Sequence, residues 1–254
     1  MSNQKKTALL ILGHGSSKHP ESSASVRMHT EVLRERGDFA EVHCAFLKEE
    51  PFIADALDKI EAENICIVPD FLAEGYFTRQ VIPELLKLDQ QPETVRYCPP
   101  VGTNDMMQQL IEMAAMADMK DWKPEQTSLL LVGHGSTKNS KSKQTLLDHI
   151  EALKQTSPFA QITDVWLEEA PFVQDWQQFV TEKQVLVLPF LLSNGQHGGW
   201  DIPAELGIGK GDVVHGVTHT LQGRNVRIAP ALGTSPQFAG VIAAIAHIWG
   251  GQGT

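Results

Sequence analysis

Two histidines and a glutamate, far apart in the chain, stand where three apolar runs end. His134 follows Leu129-Leu130-Leu131-Val132-Gly133, Glu168 follows Val165-Trp166-Leu167, and His197 lies in a glycine-rich segment beyond Val185–Leu188. Two imidazoles and a carboxylate suit a borderline divalent ion such as Fe2+, Co2+, Ni2+ or Zn2+, and they leave coordination positions open. A neutral imidazole can also accept a proton near pH 7. Residues just beyond the carboxyl ends of parallel strands share one crevice, so these three are expected to converge. Glu169 is adjacent to Glu168 and on a strand would point to the opposite face. Glu168 is therefore the expected ligand.

The chain also contains itself twice. Gly13-His14-Gly15-Ser16 recurs as Gly133-His134-Gly135-Ser136, and adding 120 to a residue number keeps the register through Pro51-Phe52 and Pro171-Phe172, Pro69 and Pro189, and Ile82-Pro83 and Ile202-Pro203. Such a register is the mark of internal duplication. Lys48 stands at the position of Glu168 and Phe77 at that of His197, so the first copy keeps only His14. Glu49 matches Glu169, which assigns that carboxylate a structural or solvent role common to both halves.

The elements that must position these residues alternate. Strand-like runs at Ala8–Leu12, Val42–Phe46, Ile65–Val68 and Val95–Tyr97 recur at Leu129–Val132, Ile162–Trp166, Val185–Leu188 and Val226–Ile228. Helical patterns fall between them, at Ala24–Arg36, Phe52–Glu61, Arg79–Leu86 and Met106–Met119. The second set is Lys143–Lys154, Phe172–Thr181, Asp201–Leu206 and Pro236–Trp249. Strands alternating with helices predict βαβ units and an α/β fold with parallel sheets, four strands in each half. Nearly continuous Val, Ile and Leu fits strands covered on both faces. Residues 1–122 and 123–254 are the expected lobes, joined by the polar stretch Asp118–Gln126. The insertion Gly207–Gly223, with His215 and His219, reads as a loop.

Composition bounds the function. Across 254 residues the hydrophobic share is 42%, the charged share 20% and the net charge −10. An acidic chain argues against a nucleic-acid partner. No apolar run reaches the ~18 residues of a membrane span, and the first residues lack a signal-peptide pattern, so a cytoplasmic protein is expected. Cys44, Cys66 and Cys98 form no CxxC pair and read as reduced core residues.

Two further features invite chemistry. Ser16 and Ser136 at strand-to-helix turns suggest a nucleophile elbow, but that motif needs Gly-x-Ser-x-Gly, and Ser17-Lys18 and Thr137-Lys138 follow instead. Helix capping is the better role for both hydroxyls. The segment Leu192-Ser193-Asn194-Gly195-Gln196-His197 reads as a Gly-rich loop opening a short helix, where Asp201 would cap that helix or orient His197.

Gly133-His134-Gly135-Ser136, Trp166-Leu167-Glu168 and Gly195-x-His197-x-x-x-Asp201-Ile202-Pro203 together resemble the CbiX/SirB family of class II tetrapyrrole chelatases. The resemblance covers both halves and implies two tandem flavodoxin-like lobes related by a pseudo-twofold. It also implies insertion of Co2+ or Fe2+ into sirohydrochlorin, in cobalamin or siroheme biosynthesis. His134, Glu168 and His197 would then be the metal-site residues, with His134 and His197 catalytic and His134 the proton acceptor. Leu192, Ser193, Asn194, Gly195, Ser136, Lys138 and His14 would meet the substrate. Lys138, Lys141 and Lys143, at a helix start, and Lys18, Lys48 and Arg79 would attract its carboxylates. No cofactor is implied beyond the substrate metal, although Ni2+ or Zn2+ fits the same donors. The partner is a polycarboxylate tetrapyrrole, not nucleic acid or membrane. A monomer is expected because one chain supplies both lobes, and a homodimer stays open. The rival from another class is a non-catalytic carrier of metal or tetrapyrrole.

Overall fold

The structure, a computed structural model, describes residues 6–136, 140–209 and 215–250. Lys138 and part of the Gly207–Gly223 insertion lie outside the described residues. Strands β1 (Thr7–Gly13), β2 (Glu41–Phe46), β3 (Asn64–Pro69) and β4 (Val95–Tyr97) form a parallel sheet in the order β2-β1-β3-β4. Strands β5 (Thr127–Gly133), β6 (Gln161–Trp166), β7 (Gln184–Pro189), β8 (His219–Leu221) and β9 (Arg224–Ile228) form the second, in the order β6-β5-β7-β9-β8. Every residue of the central strands β1 and β5 is buried, which is why both read as unbroken apolar runs.

The expectation of four strands holds for the first sheet but not for the second. Strand β8 adds an antiparallel edge to β9, inside the segment read as a loop. Gln222 and Gly223 both take positive φ, 49° and 79°. Two successive left-handed residues make the tight turn whose twist matches a hairpin. Gly223 marks that turn, so the end of the segment read as a loop is an ordered hairpin.

Helices α1 (Ala24–Arg36) and α3 (Met106–Met119) match the expected spans, and α4 (Ser140–Thr156) and α6 (Phe238–Gly250) fall close to them. The segments 52–61 and 172–181 are not α-helical. They hold 3-10 turns, Ile53–Asp55 and Leu57–Lys59 in the first and Val173–Gln178 in the second. Ile53 with Ala56, and Val173 with Trp176, are buried pairs three residues apart, which is the repeat of a 3-10 turn. α2 (Ile82–Leu85) and α5 (Ile202–Leu206) each follow a π-helical turn, Phe77–Val81 and His197–Asp201.

The compact units differ from the 1–122 and 123–254 lobes. One comprises Met1–Asn104 with Pro236–Thr254, and the other Asp105–Ser235. Thus α3 packs on α4 and β7 within the second unit, and α6 on α1 and β3 within the first. α3 buries Met107, Leu110, Ile111, Ala115 and Met119. Its end is fastened by Arg227 of β9, whose guanidinium donates to Met119 O at 2.6 Å and Asp121 Oδ1 at 2.8 Å and lies 4.1 Å from the Trp122 ring. The polar stretch after α3 is therefore tied to the second unit, not a free linker. Cys66 and Cys98 are buried with their thiols 3.2 Å apart, Cys44 is half-buried, and all three are free.

Asp70, just beyond β3, is fully buried, and neither carboxyl oxygen has a hydrogen-bond partner among the described residues. Its counterpart in the second copy is Phe190. Burial pushes the Asp70 carboxyl from 3.8 up to about 7. The folded state therefore holds this proton more tightly than the unfolded chain, and the stability contributed falls as pH rises from about 4 to about 7. At about 1.4 kcal/mol per pH unit the whole window is worth at most about 4 kcal/mol. Asp70→Asn should flatten this slope and raise the melting temperature at pH 8 while changing it little at pH 4. Melting curves across that range check it, and an unchanged slope would contradict the assignment.

Candidate metal-transfer site

The site begins with a crowded glycine. A side chain on Gly133, at the end of β5, would overlap the Trp166 ring, whose nearest atom lies 2.1 Å from the Cβ position. The chain then turns through Gly135 at φ +77°, where glycine carries no steric penalty. Between these two glycines, His134 is the one side chain that projects. Glu169 holds the turn by accepting the Ser136 backbone N–H at 2.9 Å. Its other oxygen takes Lys143 Nζ at 3.2 Å, and Lys143 also donates to Ala170 O at 2.6 Å. Lys143, expected to attract substrate, is instead engaged in this brace because its Nζ lies between Glu169 and the 5.2 Å-distant Trp166 ring. The first copy builds the same brace with Arg27, which donates to Glu50 O at 2.8 Å, pairs with Glu49 at 3.7 Å and stacks on Phe46 at 4.7 Å.

The two histidines of the second unit meet. His134 Nε2 and His197 Nε2 are 3.3 Å apart, with the rings edge to face. Each ring is anchored by its other nitrogen. His134 Nδ1 lies 3.0 Å from Gly135 O, and His197 Nδ1 lies 2.8 Å from Asp201 Oδ2. Both partners are pure acceptors, so each Nδ1 carries the hydrogen and each neutral ring turns a lone pair through Nε2. A hydrogen on one Nε2 makes this contact a ring-to-ring hydrogen bond, and a metal ion can take that hydrogen's place. Two nitrogens each ~2.0–2.1 Å from a tetrahedral ion would lie about 3.3–3.4 Å apart, which is the spacing seen.

Glu168 is close but differently placed. Its Oε2 is 3.8 Å from Nδ1 of His134, on the anchored side of that ring. Among the described residues no three His, Cys, Asp or Glu side chains are already gathered as a metal cage. The arrangement is two imidazoles on an open face, each with one carboxylate beside it. His134, Glu168 and His197 side chains keep 39%, 55% and 48% exposure, so a large molecule can reach them. Asp201 orients His197 and makes no capping bond to α5.

Leu192, Ser193, Asn194 and Gly195 form a partly exposed loop before the π-helical turn that carries His197. Asn194 Oδ1 accepts the Ala231 N–H at 2.8 Å, which fastens the loop to the segment after β9. No sequence pattern pointed to that fastening. Ser16 accepts from the backbone N–H groups of Lys18 and His19, so it stabilises a local turn and does not cap α1, which starts at Ala24. Lys141 is exposed near the start of α4.

The first copy keeps the geometry without the donors. His14 Nδ1 lies 2.9 Å from Gly15 O, and its ring meets Phe77 edge to face at 5.1 Å. The Lys48 backbone donates to His14 O at 3.0 Å, as that of Glu168 does to His134 O. Tyr76, which precedes Phe77 and is 67% exposed, was not singled out from the sequence. The 120-residue register against Gln196 was the signal available for it.

Known proteins agree with this architecture. The CbiX family matches residues 8–116 and 128–246. A probable sirohydrochlorin cobaltochelatase of Halobacterium salinarum is 32% identical over 259 residues, covering 92% of this chain and 89% of the relative. Among solved structures, the multi-domain protein DR2241 of Deinococcus radiodurans, described as similar to chelatases, superposes with a TM-score of 0.81 at 26% identity. That match covers 95% of this chain and 54% of the larger protein. SirB from Bacillus subtilis, solved with Fe3+, superposes with a TM-score of 0.75 at 20% identity, over 97% and 98% of the two chains, and supports the fold. With both copies matched and the haloarchaeal relative aligned almost end to end, the chain belongs to the CbiX family.

Proposed function

We propose that this chain inserts a divalent metal, Co2+ or Fe2+, into sirohydrochlorin, with His134 and His197 as the groups that hand the metal over. The observation that carries this is the pair of Nε2 atoms 3.3 Å apart, each ring fixed by its Nδ1. The name of the Halobacterium relative favours cobalt.

The chemistry follows from two nitrogens and one ion. As the macrocycle takes up the metal it releases two pyrrole N–H protons. The two Nε2 atoms that let go of the ion become the nearest free bases, and each can accept one of these protons. One dication leaves the pair and two protons replace it, so the site keeps its charge through the exchange. Glu168 beside His134, and Asp201 beside His197, would stabilise the resulting imidazolium groups. Holding the ion through few protein donors leaves positions for the ring nitrogens to enter stepwise. A closed cage would hold it too firmly to release.

The deciding assay mixes the protein with sirohydrochlorin and Co2+ or Fe2+ and follows the visible spectrum against a protein-free control. Acceleration identifies the enzyme, whereas binding without acceleration identifies a carrier. His134→Ala and His197→Ala should each abolish insertion and Co2+ binding, while His14→Ala keeps Co2+ binding. Loss of metal binding in His14→Ala with retention in His134→Ala would overturn the assignment to the second unit.

Asp201→Asn leaves Nδ1 of His197 poorly anchored and should weaken Co2+ affinity by about 10–100-fold, measured by competition with a metal indicator. In the first copy the positions of Glu168, His197 and Asp201 hold Lys48, Phe77 and Val81. The triple change Lys48→Glu, Phe77→His, Val81→Asp should double the Co2+ bound per chain in equilibrium dialysis. Unchanged stoichiometry in a folded variant would mean that more than these three side chains separates the two copies.

A further inference from the structure

The core of the first unit holds a pair of nucleophiles that the metal chemistry does not use. Cys66 in β3 and Cys98, directly after β4, are each 1% exposed, and both are free thiols. Their sulfurs lie 3.2 Å apart, in S–H···S contact. Cys66 is paired with Arg96 in the sheet register, and Cys98 stands two residues beyond Arg96, so all three side chains leave the sheet on one face. The end of α6 covers that face. The Cys66 thiol donates to Ala246 O at 3.8 Å, and the Arg96 guanidinium donates to Trp249 O at 2.9 Å.

Packing does not ask for sulfur here. Across the 120-residue register Cys66 corresponds to Leu186. The backbone identifies the counterpart of Cys98: its N–H donates to Ile67 O at 2.8 Å, as that of Ala229 donates to Val187 O at 2.9 Å. Leu186 and Ala229 are as deeply buried as the two cysteines. One sheet therefore fills this place with hydrocarbon and the other with two touching thiols. A single buried cysteine acts as a small hydrophobe, whereas two sulfurs already in contact can join with the backbone in place. In the closed core the reaction is slow. The hydrogen bond with Cys66, and then burial, push the Cys98 thiol well above its ordinary range, which holds it protonated. A reagent reaches the pair when the end of α6 lifts.

We propose that Cys66 and Cys98 are a redox-sensitive modification site, which small-molecule disulfides convert into a bond stapling β4 to β3, with the end of α6 as the cover that sets the rate. β4 is a three-residue edge strand held by β3 alone, so the bond fastens the least supported strand of that sheet. In the first step the thiolate of one cysteine attacks a sulfur of the reagent. The reagent's S–S bond breaks, and its other half leaves as a thiolate and takes up a proton. The second cysteine then attacks the mixed disulfide and expels the remaining half. The pair loses two electrons and two protons, and the reagent gains them as two thiols.

The test incubates the reduced full chain with 2-hydroxyethyl disulfide well below its melting temperature, followed by alkylation, proteolysis and mass spectrometry. The expected product is a peptide linking Cys66 to Cys98, short of two hydrogens. Oxidation should raise the melting temperature by several degrees, because the cross-link restricts the unfolded chain, and a reductant should reverse the rise. Cys66→Leu combined with Cys98→Ala, which copies the second sheet, should melt with the reduced wild type and gain nothing from the reagent. Cys98→Ala alone makes the same comparison if the double variant does not fold. Cys44→Ser should oxidise as the wild type does. Arg96→Ala releases the end of α6 and should speed the linkage severalfold.

Absence of the linked peptide from the folded protein, or its formation only in urea, would overturn the inference. So would a rise in melting temperature that persists without Cys66 and Cys98. An unchanged rate in Arg96→Ala would overturn the part given to α6.

Discussion

Everything at the site depends on a turn that lets one histidine leave the end of a fully buried strand. The turn is closed by a carboxylate, Glu169 in one copy and Glu49 in the other, lying near the Ser136 and Ser16 backbone N–H groups at 2.9 and 3.4 Å. That carboxylate needs a cation, and the two copies supply it from positions that do not correspond. Lys143 stands opposite Ser23 in the register, and Arg27 opposite Leu147. The cation has moved by one helical turn, yet it still reaches the carboxylate, the carbonyl of the following residue and the aromatic ring at the end of the strand. Residues one turn apart share a helix face, so the requirement is for a cation on that face and not at a given position.

This explains what the sequence could and could not convey. Strand ends were legible because buried parallel strands read as unbroken apolar runs bounded by Gly and Pro, and the 120-residue register identified which strand ends correspond. The convergence of His134 and His197 followed from that topology. The role of Lys143 did not, because a lysine at a helix start looks the same whether it awaits a ligand or braces a turn. Glu168 was legible as a neighbour of the site, but its place on the Nδ1 side of His134 depends on a side-chain direction that spacing does not encode. The exchange of α3 and α6 between units was hidden for a related reason. Periodicity shows that a helix has an apolar face, not which sheet that face covers. Arg227, from a strand over a hundred residues later, fixes the end of α3, and no local pattern around residue 119 announces it.

The pair of imidazoles also shows why few donors serve this chemistry better than many. A structural metal site closes its coordination sphere and gains its stability from doing so. A transfer site must release its ion to four ring nitrogens, so each extra protein ligand adds to the barrier of departure. Fixing both rings through Nδ1 keeps affinity up by removing the cost of orienting them, while the open face keeps exchange accessible. The distance between the Nε2 atoms is set by Gly135 O on one side and Asp201 on the other. On the proposed assignment, control of the metal therefore lies in groups that never touch it.

The charge of the chain bears on the macrocycle in the same way. A net charge of −10 opposes the approach of a polycarboxylate, but screening limits that repulsion to about 8–10 Å at physiological salt. Within that radius local cations decide, and the two copies differ there. Around His134 the second copy has Glu168 and Asp201, and its Lys143 is held by Glu169. At the matching positions of the register the first copy has Lys48 in place of Glu168, Arg79 in place of Gly199 and Val81 in place of Asp201. On the proposed reading, the carboxylates stand beside the two imidazoles, where they stabilise a dication or two imidazolium groups, and the first copy carries a cation, Lys48, at the position of Glu168. A single copy of the motif could not satisfy both demands with the same side chains, because the charge that favours the metal disfavours the anion. On the proposed reading, duplication followed by exchange of charge resolves that conflict while the three strands that end at each site keep the same order in both sheets.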